Sequence, residues 1–316
     1  MYHFCTYFDS NYLLRGITLY RSLAKHCKKP FRFYVLCLDD ETFDALTKLA
    51  IQNIVPIALS EVEQWDTELL VAKENRSLIE YYFTLSPVLP LYVLEHFNAD
   101  IATYLDADLM FFSSPTVIYK ELGDASILIT GHRFPEQLKD LEVFGRFNVQ
   151  CQVFRNDETG LCCLRRWREQ CLAWCYDRLE DGKFADQKYL DEWPELYGEH
   201  LVVSKHPGVG VAPWNVADAH LTYAVEGWHV DNQPLIFYHF HGLKFLGRHW
   251  LKTGLGIYRT PMTSGLRKLY FVYFRHIFGN GEDALTGVIR HGDVRLSHGN
   301  MRMFVNGIRQ RDLMWR

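Results

Sequence analysis

Two aspartates one residue apart, Asp106 and Asp108, are the side chains in this sequence best suited to chemistry. An apolar run at residues 101–105 precedes them and predicts a buried strand, and further apolar residues follow at 109–112. Two such carboxylates can hold one hard divalent cation, Mg²⁺ or Mn²⁺, that also takes oxygens from a diphosphate. A D-x-D pair also occurs in solvated loops at strand ends, so the prediction of a metal site depends on the strand that precedes it.

The elements predicted around this pair are those of a parallel sheet covered by helices. Apolar runs at 2–8, 31–38 and 54–59 predict strands, and amphipathic stretches at 12–26 and 41–49 predict helices between them. This β-α-β-α-β order is typical of an α/β fold. In open parallel sheets ligands bind beyond the carboxyl ends of the strands, which is where the two aspartates lie.

The pattern continues along the rest of the chain with less regularity. Residues 78–96 predict a helix that is broken or kinked at Pro87 and Pro90. Further strands are predicted at 126–130, 147–154 and 235–238, a helix at 157–179, and mixed loop structure at 182–234. We expect the sheet-bearing domain to comprise residues 1–260.

Residues 261–316 form a predicted basic and aromatic C-terminal extension, with nine Lys or Arg against four Asp or Glu. The whole chain has a net charge of -4, which argues against a nucleic-acid partner. Within the extension, residues 264–278 are amphipathic. They predict either a helix that docks on the sheet domain or one that lies on an anionic membrane surface.

The sequence predicts a cytoplasmic protein, with peripheral contact at the inner membrane face as an option for residues 261–316. No basic region followed by an apolar stretch opens the chain, so no signal peptide is expected, and no apolar run is long enough to predict a spanning helix. Eight cysteines without C-x-x-C or zinc-site spacing favour free buried thiols over disulfides.

Five short elements occur in order along residues 2–250. They are Asp9-Ser10-Asn11-Tyr12, Tyr104-Leu105-Asp106-Ala107-Asp108, Phe147-Asn148, Asp186-Gln187 followed by Tyr189-Leu190, and His239-Phe240-His241-Gly242. Their ordered occurrence resembles family 8 glycosyltransferases and related nucleotide-diphospho-sugar transferases. The resemblance implies a GT-A fold: a Rossmann-like, mostly parallel sheet flanked by helices, here with a helical, basic C-terminal extension.

The resemblance also implies a role for each matched residue at the donor and the metal. Asp9 and Asn11 would contact the uracil and ribose, although both are also natural helix caps, and Tyr7 is a further candidate for substrate binding. Asp106 and Asp108 would bind Mn²⁺ or Mg²⁺. His239 would be the third ligand, with His241 as its competitor.

A second group of residues is implied to act on the sugar and the phosphate. Asp186 would bind sugar hydroxyls, Gln187 would lie near the anomeric carbon, and Asn148 would shape the sugar pocket. Lys244 would pair with a phosphate. Trp214, in a loop rich in turn residues, is predicted either to stack on an acceptor sugar or to be a core residue.

Two positions depart from the family pattern. Thr84 stands where the family has an arginine that contacts the donor, and Lys73 or Arg76 could replace that arginine. Gln150 stands at the glycine of the family's F-N-x-G element. These departures predict a divergent member whose donor sugar is not defined by the sequence.

The predicted function is transfer of a sugar from a nucleotide-sugar donor, a UDP-sugar by resemblance, to a glycan or lipid-linked acceptor. The resemblance implies retention of configuration, and same-face attack suits Gln187, a poor covalent nucleophile. One alternative is a non-catalytic nucleotide-sugar-binding protein on the same fold. The other is a D-x-D phosphatase of the haloacid-dehalogenase type. In that type a Thr or Val stands two residues after the second Asp, where this sequence has Met110.

Overall fold

A computed structural model of the chain describes residues 1–246, 250–278 and 312–315. The first part of the chain alternates strands and helices as the sequence predicts. Its elements are β1 (Tyr2–Phe8), α1 (Leu13–His26), β2 (Phe31–Cys37), α2 (Asp40–Leu49), β3 (Ile54–Ala58), α3 (Leu59–Trp65), α4 (Glu68–Asn75), α5 (Leu78–His96) and β4 (Ile101–Leu105).

The remaining described helices and strands vary more in length. They are β5 (Leu109–Phe111), α6 (Thr116–Leu122), β6 (Ile127–Gly131), β7 (Phe147–Arg155), α7 (Glu158–Ala173), α8 (Trp193–Tyr197), β8 (Leu201–Val203), β9 (Leu221–Ala224), β10 (Gly227–Val230), β11 (Gln233–Pro234), β12 (Phe237–His239), β13 (Lys244–Phe245), β14 (Trp250–Lys252), α9 (Ser264–Phe278) and β15 (Leu313–Trp315).

The central sheet has seven strands in the order β3-β2-β1-β4-β7-β6-β8. β3, β2, β1 and β4 are parallel, whereas β7 runs antiparallel to both of its neighbours. Apolar clusters form on both faces, one against α5 and α7 and the other against α1 and α2. The structure therefore confirms the predicted mostly parallel α/β sheet flanked by helices.

Helix α5 is not broken at its prolines, which excludes one of the two predicted alternatives, while the kink stays a prediction. It runs through Pro87 and Pro90 for 19 residues. A capping box at its start, where Ser77 and Glu80 bond reciprocally, satisfies the first backbone donors. Both prolines are buried, so tertiary packing outweighs the two backbone hydrogen bonds that they remove.

Helix α7 is shorter than predicted and ends at Ala173 rather than near residue 179. Side chains remote in sequence bind its last carbonyls. The Tyr189 hydroxyl donates to Gln170 and Trp174, and the Arg76 guanidinium donates to Cys171 and Leu172. These bonds help to satisfy the carbonyls at the end of the helix, and local sequence does not reveal them.

Helix α9 docks on a third apolar cluster that it shares with β5, β12 and β14. One apolar face of this helix is buried, and the Tyr273 ring stacks on Phe240 with 3.7 Å between centroids. β15 pairs with β14 in the same region. The docking interpretation of residues 264–278 is confirmed for this apolar face, while the domain boundary near residue 260 stays a prediction.

All eight cysteines are free thiols, and only Cys162 is exposed. Within the described residues, no helix has the length and apolar character needed to cross a bilayer.

Candidate metal centre and adjoining cavity

The carboxyl end of β4 and two short neighbouring strands position the predicted metal ligands. The Asp106 backbone N–H donates to the Gln150 carbonyl at 2.9 Å, which ties the end of β4 to β7. β5 then pairs antiparallel with β12, so that His239 lies opposite Leu109. The Phe240 N–H donates to the Asp108 carbonyl at 3.1 Å. This pairing brings His239 to two aspartates that precede it by more than a hundred residues.

Asp106, Asp108 and His239 form what we call the metal cluster. The His239 Nε2 atom lies 2.9 Å from Asp108 Oδ1 and 3.7 Å from Asp106 Oδ2. One ligand atom from each residue lies within 4.8 Å of the others, and no other such group occurs among the described residues. Two carboxylates and an imidazole are donors suited to Mn²⁺ or Mg²⁺. The side chains therefore fit one hard divalent cation.

The charges of the metal cluster depend on each other. Burial raises the pKa of Asp106 to about 6, although the His239 imidazole opposes that rise. Burial also acts to raise the pKa of Asp108, but His239 outweighs it and holds this pKa below its ordinary value. Burial lowers the pKa of His239, and the two carboxylates reverse this to a net increase. Without a cation, the imidazole is thus the counter-ion of both carboxylates.

His241 does not join the metal cluster. It lies two residues beyond the end of β12, and its ring lies edge-on to Trp214 with 5.4 Å between centroids. Burial, reinforced by the nearby His239, lowers the pKa of His241 to about 4. Of the two histidines, the geometry favours His239 as the ligand.

A second set of polar side chains, His132, Asn148 and Gln187, forms what we call the amide network. Asn148 Nδ2 donates to Gln187 Oε1 at 3.1 Å and lies 3.1 Å from His132 Nε2. Gln187 Nε2 donates to the Phe144 carbonyl at 3.0 Å. Burial lowers the pKa of His132 to about 3, so this imidazole is neutral and can accept from Asn148. The network carries no net charge.

One cavity of about 560 Å³ adjoins both groups. Asp106 and His239 line it together with the amide network, and so do the predicted site residues Tyr7, Asp186 and Trp214. Several aromatic side chains also line it: Phe83, Phe134, Phe144, Phe184 and Tyr258. Burial raises the pKa of Asp186 to about 7, and the nearby Asp106 carboxylate adds to the rise.

Three predicted substrate residues lie outside this cavity. Asp9 caps a 3-10 turn, where it accepts from the Tyr12 N–H at 3.2 Å and from Asn11 Nδ2 at 3.0 Å. Since β1 and β4 are parallel neighbours, these residues lie at the same sheet edge as Asp106. Lys244 is exposed at the start of β13. The capping interpretation of Asp9 is confirmed, and nucleotide contact by Asp9, Asn11 and Lys244 stays a prediction.

Trp214 is 1% exposed and packs with Phe134, Leu138 and Ala212. Its ring is edge-on to His132 and His239, at 5.2 and 5.3 Å between centroids. Such burial leaves little ring surface for an acceptor sugar and favours the core interpretation.

The two candidates for the missing arginine are engaged elsewhere. Arg76 donates to Thr84 Oγ1 at 2.7 Å as well as to the end of α7, and Lys73 pairs with Glu63 at 2.7 Å. Neither side chain lines the cavity.

Sequence reasoning missed the roles of His132 and Gln150. Gln150 is fully buried, and its Oε1 lies 3.0 Å from His239 Nδ1. The available signal was a glutamine between the apolar residues Val149 and Cys151 in a predicted strand, where its side chain had to be buried with a polar partner.

Comparison with known proteins places the chain by sequence. No protein-family model matches it. Two uncharacterized proteins of Bacillus subtilis (strain 168), YfnD and YfnF, are similar to it in sequence. YfnD is 32% identical over 246 residues, covering 76% of this chain and 78% of YfnD. YfnF is 32% identical over 262 residues, covering 79% of this chain and 84% of YfnF. The chain belongs to the family of YfnD and YfnF.

Solved structures establish the fold of this YfnD family member. Galactosyltransferase LgtC superposes with a TM-score of 0.51 at 16% identity, covering 76% of this chain and 87% of LgtC. Mouse xyloside xylosyltransferase 1 superposes with a TM-score of 0.51 at 13% identity, covering 83% of this chain and 99% of the mouse protein. Glycosyltransferase GlyE of Streptococcus pneumoniae superposes with a TM-score of 0.52 at 13% identity, covering 91% of this chain and 62% of GlyE. The predicted GT-A fold is confirmed.

Proposed function

We propose that the chain is a metal-dependent glycosyltransferase that uses a nucleoside-diphosphate sugar, a UDP-sugar by resemblance, and acts on a glycan or lipid-linked acceptor. The observation that carries this proposal is the metal cluster beside the neutral amide network, in one cavity at the carboxyl edge of the parallel sheet. Solved proteins of the same fold include a galactosyltransferase and a xylosyltransferase. They support the proposed class of reaction.

In the proposed reaction the metal cluster holds Mn²⁺ or Mg²⁺, which when bound would neutralise charge on the leaving diphosphate. Asp186 and the amide network orient the sugar hydroxyls. Gln187 Oε1 is held by Asn148 and its Nε2 by Phe144, so the side chain has a fixed orientation in the cavity. An amide so held is suited to positioning and unsuited to covalent attack, which supports same-face substitution with retention.

Thermal stability against a panel of nucleoside diphosphates tests the proposal. A ligand that binds only the folded state raises the melting temperature. We expect UDP with Mn²⁺ to raise it, and we expect Asp108→Asn to remove that increase. Asp44→Asn, an exposed carboxylate on α2, is the matched control and should retain it.

Other outcomes of the panel have distinct meanings. A melting-temperature increase with a different nucleoside diphosphate would indicate that the donor carries a base other than uracil. If a well-folded protein shows no shift with any diphosphate, the transferase proposal fails. A shift with UDP and Mn²⁺ but no sugar transfer or donor hydrolysis, across a broad set of acceptors, would indicate a non-catalytic binding protein.

We also propose that the outer face of α9 contacts an anionic membrane at the cytoplasmic side. This face exposes Arg267, Lys268, Phe271 and Arg275. With α1 and the β9–β10 hairpin, α9 borders a second cavity of about 990 Å³, which includes Lys25 and the 66% exposed Tyr223. Cations beside exposed aromatic rings suit the headgroup region of an anionic bilayer.

Sedimentation with lipid vesicles tests the membrane contact. We expect binding to vesicles that contain phosphatidylglycerol, weaker binding at high salt, and none to phosphatidylcholine alone. The double change Arg267→Glu and Lys268→Glu should abolish binding. Lys48→Glu with Lys120→Glu carries the same change of charge on other surfaces and should not. Equal binding by both double variants would contradict the proposal.

A further inference from the structure

Gln150 is a buried residue whose side-chain amide contacts His239 of the metal cluster, on the side of the ring away from the two carboxylates. It has no exposed surface and lies in the middle of β7. Its Oε1 is 3.0 Å from His239 Nδ1, the ring nitrogen that does not face the carboxylates. The other nitrogen, Nε2, lies 2.9 Å from Asp108. Gln150 and Asp108 therefore hold the His239 ring from its two sides.

The backbone of Gln150 connects the metal cluster to the amide network. Its carbonyl accepts from the Asp106 N–H at 2.9 Å, and its N–H donates to Asn148 Oδ1 at 2.9 Å. Because Asn148 Oδ1 is used in this bond, Asn148 Nδ2 is the atom that turns to Gln187. One residue thus touches Asp106, Asn148 and His239.

A glycine closes the space around the Gln150 side chain. Gly210 has a φ of +73°, and a Cβ built there would lie 3.2 Å from Gln150 Nε2. This Nε2 atom is buried and has no hydrogen-bond partner among the described residues. Leaving an amide nitrogen unpaired costs stability, so packing alone gives no reason for an amide at this position. The contact of Oε1 with His239 does give a reason for an amide at this position.

The contact has a specific consequence for a metal ligand. A neutral imidazole carries one proton and offers its other nitrogen as a ligand, and the hydrogen bond to the non-ligating nitrogen determines which is which. An oxygen acceptor at Nδ1 keeps the proton there. The lone pair of Nε2 then faces Asp106 and Asp108, where a cation shared by the three residues would lie.

We propose that Gln150 is a positioning residue of the metal centre, which holds His239 in the Nδ1–H tautomer and aims Nε2 at the cation. This inference rests on the proposed metal-dependent function, since it assigns a role toward the same cation. Gln150 fills the position that a glycine holds in the resembling family. It therefore supports His239 with a side chain that the family pattern lacks.

Binding of Mn²⁺ alone, followed by electron paramagnetic resonance without nucleotide, tests the inference. Gln150→Met keeps the volume but removes the acceptor, and we expect it to weaken Mn²⁺ binding about tenfold or more. Gln150→Glu keeps an acceptor at Nδ1 and should bind Mn²⁺ within about threefold of the wild type, or more tightly. A purely space-filling role predicts the reverse order, because Met packs well and a buried carboxylate does not.

Gln152→Met is the matched control. Gln152 is also fully buried on β7, two residues further on, and its side-chain nitrogen and oxygen have no partner among the described residues. We expect this variant to bind Mn²⁺ as the wild type does. Equal loss in Gln150→Met and Gln152→Met would show a general effect on β7 and overturn the inference.

A second measurement needs no variant. Long-range ¹⁵N–¹H spectra of the wild type with Mg²⁺, which is diamagnetic, report the proton on each nitrogen of His239. A protonated Nδ1 is the expected result, and a protonated Nε2 would overturn the inference. If the wild type binds Mn²⁺ and Gln150→Met binds it equally well, only this inference fails. If the wild type binds no divalent cation, the proposed function fails with it.

Discussion

The metal cluster and the amide network border the same cavity but are stabilised in opposite ways. The metal cluster places two carboxylates against one imidazole. Burial raises the pKa of Asp106, whereas His239 outweighs burial at Asp108 and lowers its pKa. The amide network is neutral, and Asn148 and Gln187 already hold each other and the backbone. The first group gains most from an added cation, whereas the second is organised without a ligand.

This difference separates two tasks. Under the proposed function, charge on a leaving diphosphate would be stabilised by a cation, for which the metal cluster would supply the ligands. Orientation of a sugar requires fixed donors and acceptors, which the amide network would supply under the same proposal. Changes at the metal cluster should therefore affect cation binding and turnover together, whereas changes at the amide network should affect turnover alone.

The largest expected effect is that of Asp108→Asn. We expect sugar transfer with Mn²⁺ to fall by about 100-fold or more, because the variant loses a charged ligand beside His239. Mn²⁺ binding should fall with it, while the variant stays folded. Near-normal turnover in this variant would remove Asp108 from the mechanism.

A smaller effect is expected from Gln187→Ala, which removes the end of the amide network. Turnover should fall about tenfold as the sugar loses a fixed neighbour. The Mn²⁺ dissociation constant should stay within about twofold, since Gln187 does not belong to the metal cluster. Gln137→Ala, at an exposed position, is the control for both measurements. If Gln187→Ala weakens Mn²⁺ binding as much as turnover, the two groups are not separate.

The smallest effect concerns Asp186 and stability. Burial raises its pKa to about 7, whereas an unfolded Asp carboxyl has a pKa of about 3.9. The folded state thus holds a proton that the unfolded state has lost, so the stability contribution of this group falls as pH rises from about 4 to about 7. Asp186→Asn stays neutral and should avoid that loss.

We therefore expect Asp186→Asn to melt about 3 °C or more above the wild type at about pH 8, with the difference vanishing near pH 4. Calorimetry over this pH range measures it, and turnover should fall in the same variant because a sugar-binding carboxylate is lost. Identical melting temperatures for the two proteins at every pH would show that Asp186 carries no such strain.

The sheet and two of the three proposed metal ligands could be predicted from local sequence, and the third, His239, from the family resemblance. Apolar runs of strand length between amphipathic stretches define β1 to β4, and the aspartates follow directly after β4. The structure supports the predicted choice of His239 over its competitor His241. β12 ends at His239, so the chain leaves its pairing with β5 before it reaches His241.

What sequence could not predict depends on contacts between distant residues. The end of α7 is bonded by Arg76 and Tyr189, which are distant from it in the chain. Helix α5 continues through two prolines because its surroundings bury it. The contact between Gln150 and His239 joins residues 89 positions apart. Local propensity contains no information about these three features, because each depends on residues that are distant in the chain.

The single exposed cysteine offers a route to the metal by spectroscopy. Cys162 lies on α7, and burial raises the pKa of its neighbour Cys163, which suppresses reaction there. A thiol-reactive nitroxide applied to the folded wild type should therefore attach at one place. Its dipolar coupling to bound Mn²⁺ would then report the distance from α7 to the cation. The natural sequence already provides the one attachment point that this measurement requires.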